Sequence, residues 1–295
     1  MDPLTDEQRR AVVSSFLDRI AEGKGLEPAA RTFPYDSVPG IETARWPLLS
    51  EEMVKDELRE LTNLLNHWLG NLRRWHAWNE VLKSQNIDAR WEAEWAWVEP
   101  LAFYCMFQPS ASRDRFVMVA THALHKVRMA IDPTTVDSLL GDPTNPSEPR
   151  FFPSRRDKEK QLKDLAKPWS KGKTFIQAIG QLDGRGYRAL TGDFRNRASH
   201  GIAPRFSVGF TSMVTRTRQQ ATRLERQPNG TYMDVPVPGK LVTSYGFGGT
   251  PPLSMPDAWM ANLAQFEHAR RTFYAYVALL VEAVAAMPRR PDSPP

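Results

Sequence analysis

Leu61-Thr62-Asn63-Leu64-Leu65-Asn66-His67-Trp68-Leu69-Gly70-Asn71-Leu72-Arg73-Arg74-Trp75 decides the character of the chain. Leu61, Leu65, Trp68, Leu72 and Trp75 recur at steps of three and four, and Asn79 and Leu82 continue the row. That period places them on one face of an α-helix of about 30 residues, with the row buried. Ser50 can open this helix, and Glu51 and Glu52 suit the positive end of its dipole.

The same pattern recurs outward in both directions. Leu4 to Ala21 predicts a first helix capped by Thr5, with Asp6 and Glu7 in its first turn and Gly23 at its end. The Pro-rich stretch from Gly25 to Pro47 predicts an irregular connection. Ala89 to Phe107 and Arg113 to Ile131 predict two more long helices, the first carrying Pro100 as a point of kinking. A break follows from Asp132 to Pro153. Shorter helices are expected over Asp157–Leu165 and Thr174–Leu182. A further one runs from Tyr187 to His200, closed by the left-handed preference of Gly201. Asp257 to Met287 predicts a last long helix. Between them, Phe206 to Tyr245 has strand-like pieces and the turn Pro228-Asn229-Gly230, which predict a small β excursion. We therefore expect an all-α protein: a single helical domain over 1–295, with a terminal helix and linker over 1–49. Core helices fall within 50–131, 157–201 and 257–287, and an insertion within 206–256.

The length, 295 residues, suffices for one large domain, and the 41% hydrophobic and 25% charged fractions are those of an ordinary globular chain. No apolar run is long enough to span a bilayer, so no membrane partner is expected. The start, Met1-Asp2-Pro3, lacks the basic-then-apolar layout of a secretion signal, and a cytoplasmic location is expected. The single cysteine, Cys105, excludes an internal disulfide and reads as a small buried hydrophobe. From Arg150 to Arg226 there are 18 Lys and Arg against 6 Asp and Glu, while the remainder of the chain is net acidic. Such segregation suits a polyanionic partner, or else a solvated basic face. Most tryptophans lie between Trp46 and Trp97. They could serve as stacking platforms for bases, but helical spacing favours a core: Trp68, Trp75 and Trp95 fit one, whereas Trp78 and Trp97 fall off the stripes.

Arg195-Asn196-Arg197-Ala198-Ser199-His200 carries the chemistry. On a helix, at about 100° per residue, Arg195, Asn196, Ser199 and His200 share one face. A neutral imidazole there can take the proton of a ribose 2′-hydroxyl, and a guanidinium can hold the phosphoryl oxygens through two hydrogen bonds. These groups suit RNA cleavage without a metal or other cofactor. Other constellations carry less. His122 and His125 stand three apart but lack a sequence-near carboxylate or thiol to complete a metal site, and no metal is expected. Gly246-Phe247-Gly248-Gly249-Thr250 lacks the lysine of a phosphate loop.

The hexapeptide resembles the active-site motif of the HEPN superfamily, whose all-helical, dimeric members carry an Arg, a polar residue and a His four to six positions beyond the Arg. The resemblance implies Arg195 and His200 as the catalytic pair with Asn196 beside them, and a homodimer whose two motifs line one cleft. It further implies a toxin or phage-defence role, with an antitoxin or regulatory partner. Lys171, Lys173, Arg197, Ser199 and Arg205 are expected to contact RNA, by charge and neighbourhood. The long excursion before the last helix departs from a compact domain of that kind. The competing reading is a non-catalytic module that binds nucleic acid or a partner protein.

Overall fold

The computed structural model describes residues 4–23, 31–143, 145, 147 and 151–291. They divide into two compact units: residues 1–190 together with 255–295, and residues 191–254.

The first unit is helical. Its elements are α1 (Asp6–Glu22), α2 (Ser50–Leu82), α3 (Ile87–Ala93), α4 (Glu99–Ile131), α5 (Arg155–Ala166), α6 (Gly172–Gln181) and α7 (Arg185–Leu190). The second unit holds α8 (Phe194–Ala198) and the strands β1 (Val214–Arg226) and β2 (Tyr232–Phe247). The chain then returns to the first unit as α9 (Met255–Ala285).

The core of the helical unit lies where α2, α4 and α9 pack together. The α2 row is fully buried at Leu61, Leu65, Trp68, Leu72 and Trp75. It meets Phe266, Phe273, Tyr276 and Leu280 of α9 and Val119, Ala120, Ala123 and Val127 of α4 in one apolar interior. Phe33, from the connection ahead of α2, closes one side, its ring 4.8 Å from that of Phe273. Its backbone is pinned by Asn66, which accepts from the Phe33 N–H at 2.7 Å and donates to its carbonyl at 3.1 Å. At the start of the unit, Thr5 and Gln8 form a reciprocal capping box on α1, and Gly23 ends that helix at φ 64°.

One polar side chain crosses the interior. Asn262 of α9 is wholly buried. Its amide oxygen accepts from the Trp68 indole at 2.8 Å, and its amide nitrogen donates to the Cys105 carbonyl at 2.8 Å and the Tyr187 hydroxyl at 3.0 Å. Three other helices are thereby fixed to α9 through one amide. A second polar cluster joins α4, α5 and the turn after α6. Arg155 bonds both oxygens of Asp114 at 2.7 Å, and Asp183, nearly buried, at 3.0 Å. Arg188 reaches the same Asp183 at 2.9 Å, and the Asp183 backbone N–H donates to Gln265 at 2.7 Å.

The chain is not all-α. Residues 191–254 form a separate unit built on a two-stranded antiparallel sheet whose strands run for 13 and 16 residues. The sequence marks only short pieces of it, because Thr, Arg and Gln alternate along β1 where an apolar face would be the visible signal. Within the helical unit, the predicted helices 89–107 and 113–131 are differently divided. A π-turn at Glu94–Val98 ends α3, and α4 then runs unbroken to Ile131 through Pro109. Pro100 lies in the first turn of α4, where its missing N–H forfeits no helix bond. The π-turn shifts the helical phase. Trp95, read as core, is 66% exposed, and Trp78, read as off-stripe, is buried between Phe16 and Trp97 in a parallel stack. Among the described residues no helix is long and apolar enough to cross a membrane.

Replacing Asn262 by Ala strands the Trp68 N–H and the Cys105 carbonyl, and takes one partner from the Tyr187 hydroxyl, which keeps the Met106 carbonyl at 3.4 Å. We expect a loss of about 3 kcal/mol or more in urea unfolding, because each orphaned buried group costs about 1–3 kcal/mol. A loss below about 1 kcal/mol would show that the amide does not tie these helices together.

Candidate functional site

The predicted helix from Tyr187 to His200 is interrupted. Gly192 and Asp193 both take left-handed backbone, at φ 58° and 53°, so α7 stops at Leu190 and α8 begins afresh at Phe194. Glycine adopts that conformation freely, and aspartate is among the few other residues that tolerate it. The consequence for the motif is that it sits on a single turn of helix rather than late in a long one.

That turn is closed at its far end. Gly201 has φ 71°, its N–H donates to the Ala198 carbonyl at 3.0 Å, and the Ile202 N–H donates to the Arg197 carbonyl at 3.0 Å. This pair of bonds is the Schellman arrangement. It holds His200 in the closing turn, two residues beyond the end of α8 at Ala198.

Arg195, Asn196, Ser199 and His200 are all exposed to solvent, the last two in the turn that follows α8. Asn196 donates from its side-chain amide to Asp193 at 3.0 Å, and the Ser199 hydroxyl donates to the Asn196 carbonyl at 2.6 Å. Arg197 turns the other way, is half-buried, and bonds the Thr250 hydroxyl. Asp193 is therefore occupied by Asn196, not by Arg195. Among the described residues neither the Arg195 guanidinium nor the His200 imidazole has a hydrogen-bond or ion-pair partner.

The rest of this unit forms a mount and a ribbon. Phe194 packs its ring 5.3 Å from that of Phe206. The strand-like piece at Phe206 pairs with Leu253, and Thr211 pairs with Thr250 through bonds of 3.1 and 2.9 Å. Gly249 makes this possible, since a Cβ there would meet the Thr211 carbonyl oxygen at 2.8 Å. Arg205 is exposed, and its stem lies against Gly209. From this mount extends the β1–β2 ribbon, in register from Val214 opposite Phe247 to Gln220 opposite Leu241, and from Thr222 opposite Pro236 to Arg226 opposite Tyr232. Of its strand residues only Ala221 is buried.

Six of the eight site residues expected from sequence, Arg195, Asn196, Arg197, Ser199, His200 and Arg205, belong to this unit. Lys171 and Lys173 belong to the helical unit, at the start of α6. There the Ser170 and Lys171 backbone N–H groups donate to Glu282 at 2.8 and 2.9 Å, and these bonds hold its carboxyl below the usual range. The ribbon exposes four side chains that the sequence reading did not single out: Arg216, Arg218, Tyr245 and Phe247. Their signal was the Thr-Arg-Thr-Arg alternation and an aromatic two residues from another, both visible once the strands are known to pair.

The remaining constellations are structural. His122 meets Glu57 at 2.5 Å and His125, buried, meets Asp137 at 3.0 Å. Each histidine thus has its own carboxylate from a distant stretch of sequence. Lys126 also bonds Asp137, at 2.6 Å, and holds its carboxyl below the ordinary range. Among the described residues no group of three or more His, Cys, Asp or Glu could hold a metal ion. Cys105 is buried, and burial pushes its thiol pKa upward. Two open cavities of about 690 and 650 Å³ lie in the helical unit, lined in part by Arg156, Lys160 and Lys163 and by His125, Arg128 and Asp164.

No protein-family model, curated protein or solved structure matches this chain.

Gly201→Ala forces an alanine into left-handed backbone at an open site, at a cost of about 1 kcal/mol. We expect the Ile202 amide, which the cap protects, to exchange with solvent several-fold faster. Unchanged protection would mean that the cap does not secure the motif.

Proposed function

We propose that this protein cleaves RNA without a metal ion, with His200 and Arg195 as the catalytic residues and Asn196 positioning beside them. The observation that carries the proposal is the pairing state of Arg195 and His200. In the helical unit Arg113, Arg155 and Arg188 are each fixed to a carboxylate. The motif's arginine and histidine, by contrast, are exposed, unpartnered among the described residues and about one helical turn apart in sequence. Arg195 makes no ion pair with Asp193, whose carboxylate accepts from Asn196. The Arg-Asn-x3-His spacing resembles that of HEPN nucleases, which supports the same reading.

The chemistry follows from the groups. His200, neutral, removes the proton of a ribose 2′-hydroxyl. The freed oxygen attacks the adjacent phosphorus, and Arg195 holds two phosphoryl oxygens while negative charge builds on them. The bond to the 5′-oxygen of the next nucleotide breaks, and that oxygen takes a proton. The products are a 2′,3′-cyclic phosphate and a 5′-hydroxyl. One imidazole serves poorly as base and acid at two positions, so we propose a homodimer in which the second copy's His200 supplies the departing proton. An exposed motif suits a cleft that a second copy completes. The setting we propose is the cytoplasm, as a toxin or defence nuclease held by a regulatory partner.

A second reading is a module that binds RNA without cutting it. The bond from Asn196 to Asp193 favours it, since it leaves the amide less free to orient substrate.

The test is cleavage of end-labelled RNA in the presence of chelator. Loss of the general base should slow cleavage by about 10²-fold or more in His200→Ala. Arg195→Ala should fall comparably, and the wild-type products should carry cyclic phosphate ends. Strict dependence on a divalent ion, or equal cleavage by wild type and His200→Ala, would sink the mechanism. Salt-sensitive binding with no cleavage would favour the second reading.

A further inference from the structure

The ribbon poses a physical problem that the cleavage motif does not answer. An isolated two-stranded hairpin is marginal in water, and a ribbon is usually stabilised by burying one face. Here both faces of the β1–β2 ribbon are open, and its largest apolar side chains are among the most exposed in the chain. Phe247 is 93% exposed, Tyr245 69%, Val214 60% and Leu241 57%. Apolar side chains gathered in this way mark an interaction surface.

The register shows which face. Directly opposed residues in an antiparallel pair project to the same side, and sides alternate along each strand. Val214 faces Phe247, Arg216 faces Tyr245, Arg218 faces Thr243 and Gln220 faces Leu241, so these pairs share one side. Thr215 opposite Gly246, Thr217 opposite Ser244 and Gln219 opposite Val242 make the other. One side is therefore aromatic and cationic; the other is small and mostly hydroxylic. On the first side Tyr245 and Phe247 follow each other along β2, and Arg216 and Arg218 follow each other along β1. Each step is about 7 Å, and the two columns lie about 5 Å apart.

We propose that this face binds single-stranded RNA, with bases stacked on Tyr245 and Phe247 and the phosphate backbone over Arg216 and Arg218. The proposal rests on the reading of the chain as one that acts on RNA, and it extends that reading to a surface outside the motif. Every base offers a π-face to an aromatic ring, and an adjacent guanidinium column neutralises phosphates. Charge also decides between RNA and a second copy of the chain. The ribbon, residues 214–247, carries five Lys and Arg against two Asp and Glu, and its ion pair, Arg223 with Glu225, lies beyond the bulge from this face. The four pairs of this face carry two guanidinium groups and no carboxylate, so a second copy would bring it only more positive charge, whereas RNA brings the opposite sign. The other side, with Thr215, Thr217 and Ser244, offers no platform.

The experiment measures fluorescence anisotropy of a labelled, fully 2′-O-methylated single-stranded oligonucleotide titrated with the full-length protein at several salt concentrations. This probe lacks the hydroxyl that attacks, so binding is read apart from cleavage. Tyr245→Ala with Phe247→Ala should weaken binding about tenfold or more with little change in salt dependence. Arg216→Gln with Arg218→Gln should reduce the slope of log Kd against log salt by about 1.4, because about 0.7 counterion is released per single-strand phosphate contact. Thr217→Ala, on the opposite side of the ribbon, should bind as wild type does. The substituted side chains are exposed, and an unchanged thermal midpoint checks that each variant folds. Wild-type affinity in both double variants would overturn the proposal. So would a wild-type dimer, seen by sedimentation, that the aromatic double variant dissociates while oligonucleotide binding stays intact. Ribbon-dependent binding by a protein that cuts no RNA would leave this proposal standing and remove the cleavage reading alone.

Discussion

The buried amide of Asn262 is the constraint around which the helical unit is arranged. A core of Leu, Phe, Val and Trp is non-directional and tolerates many packings that differ by small shifts of helices. The hydrogen bonds of one asparagine do not tolerate such shifts. With the Trp68 indole on one side and the Cys105 carbonyl and Tyr187 hydroxyl on the other, α9 has one depth and one rotation relative to α2, α4 and α7. Tyr187 carries particular weight, because α7 is the last helix before the chain leaves the unit. Asp183, held by Arg155, Arg188 and Gln265, fixes the turn that leads into α7. The exit from the helical unit is therefore pinned by two polar anchors, a buried amide and a carboxylate shared between two guanidinium groups.

Much of this helical unit was legible in the sequence because its signals are local. The three-four spacing of Leu61 to Trp75 places the α2 row without reference to anything distant, and Thr5 with Asp6 and Glu7 announces the start of α1 within three residues. What misled were features whose meaning depends on phase. A π-turn adds a residue to one turn of helix, and no residue type marks it. Its effect is that Trp95 leaves the core and Trp78 finds Phe16 and Trp97 as flat neighbours. The expected gap between helices 89–107 and 113–131 lies inside α4, which runs through Pro109 because tertiary packing outweighs one lost backbone bond. The carboxylate partners of His122 and His125 were invisible for another reason: Glu57 comes from a different helix and Asp137 from the following loop.

The second unit was read least well, and the reason is physical. A helix that packs on a core must write an apolar stripe, but a ribbon open on both sides need not write any binary pattern. In β1 the alternation is Arg with Thr and Gln, which reads as a polar connection. The break at Gly192 and Asp193 was likewise hidden, because Tyr187 to His200 has acceptable helical composition throughout and only the backbone reveals the two left-handed residues. Gly201 was legible, since a glycine followed closely by a proline is a strong stop signal.

Within the basic region from Arg150 to Arg226, two arginines of the helical unit are matched in place by carboxylates, Arg155 by Asp114 and Asp183 and Arg188 by Asp183. In residues 191–254 there are eight Lys and Arg against three Asp and Glu, and the ion pair there is Arg223 with Glu225. A cation that folds the protein must be matched in place, because an unmatched one next to the core would carry a desolvation cost. A cation left in solvent carries no such cost and stabilises nothing by itself. Its neutralisation is deferred to whatever approaches. The same holds for the exposed rings of the ribbon, which give up burial that a folded chain would ordinarily secure for them. Unmatched charge and unburied aromatic surface on one face are complementary to the same kind of molecule, one with a phosphate backbone and flat bases. A single-stranded nucleic acid, the occupant proposed for this face, carries both at the spacing the strands impose.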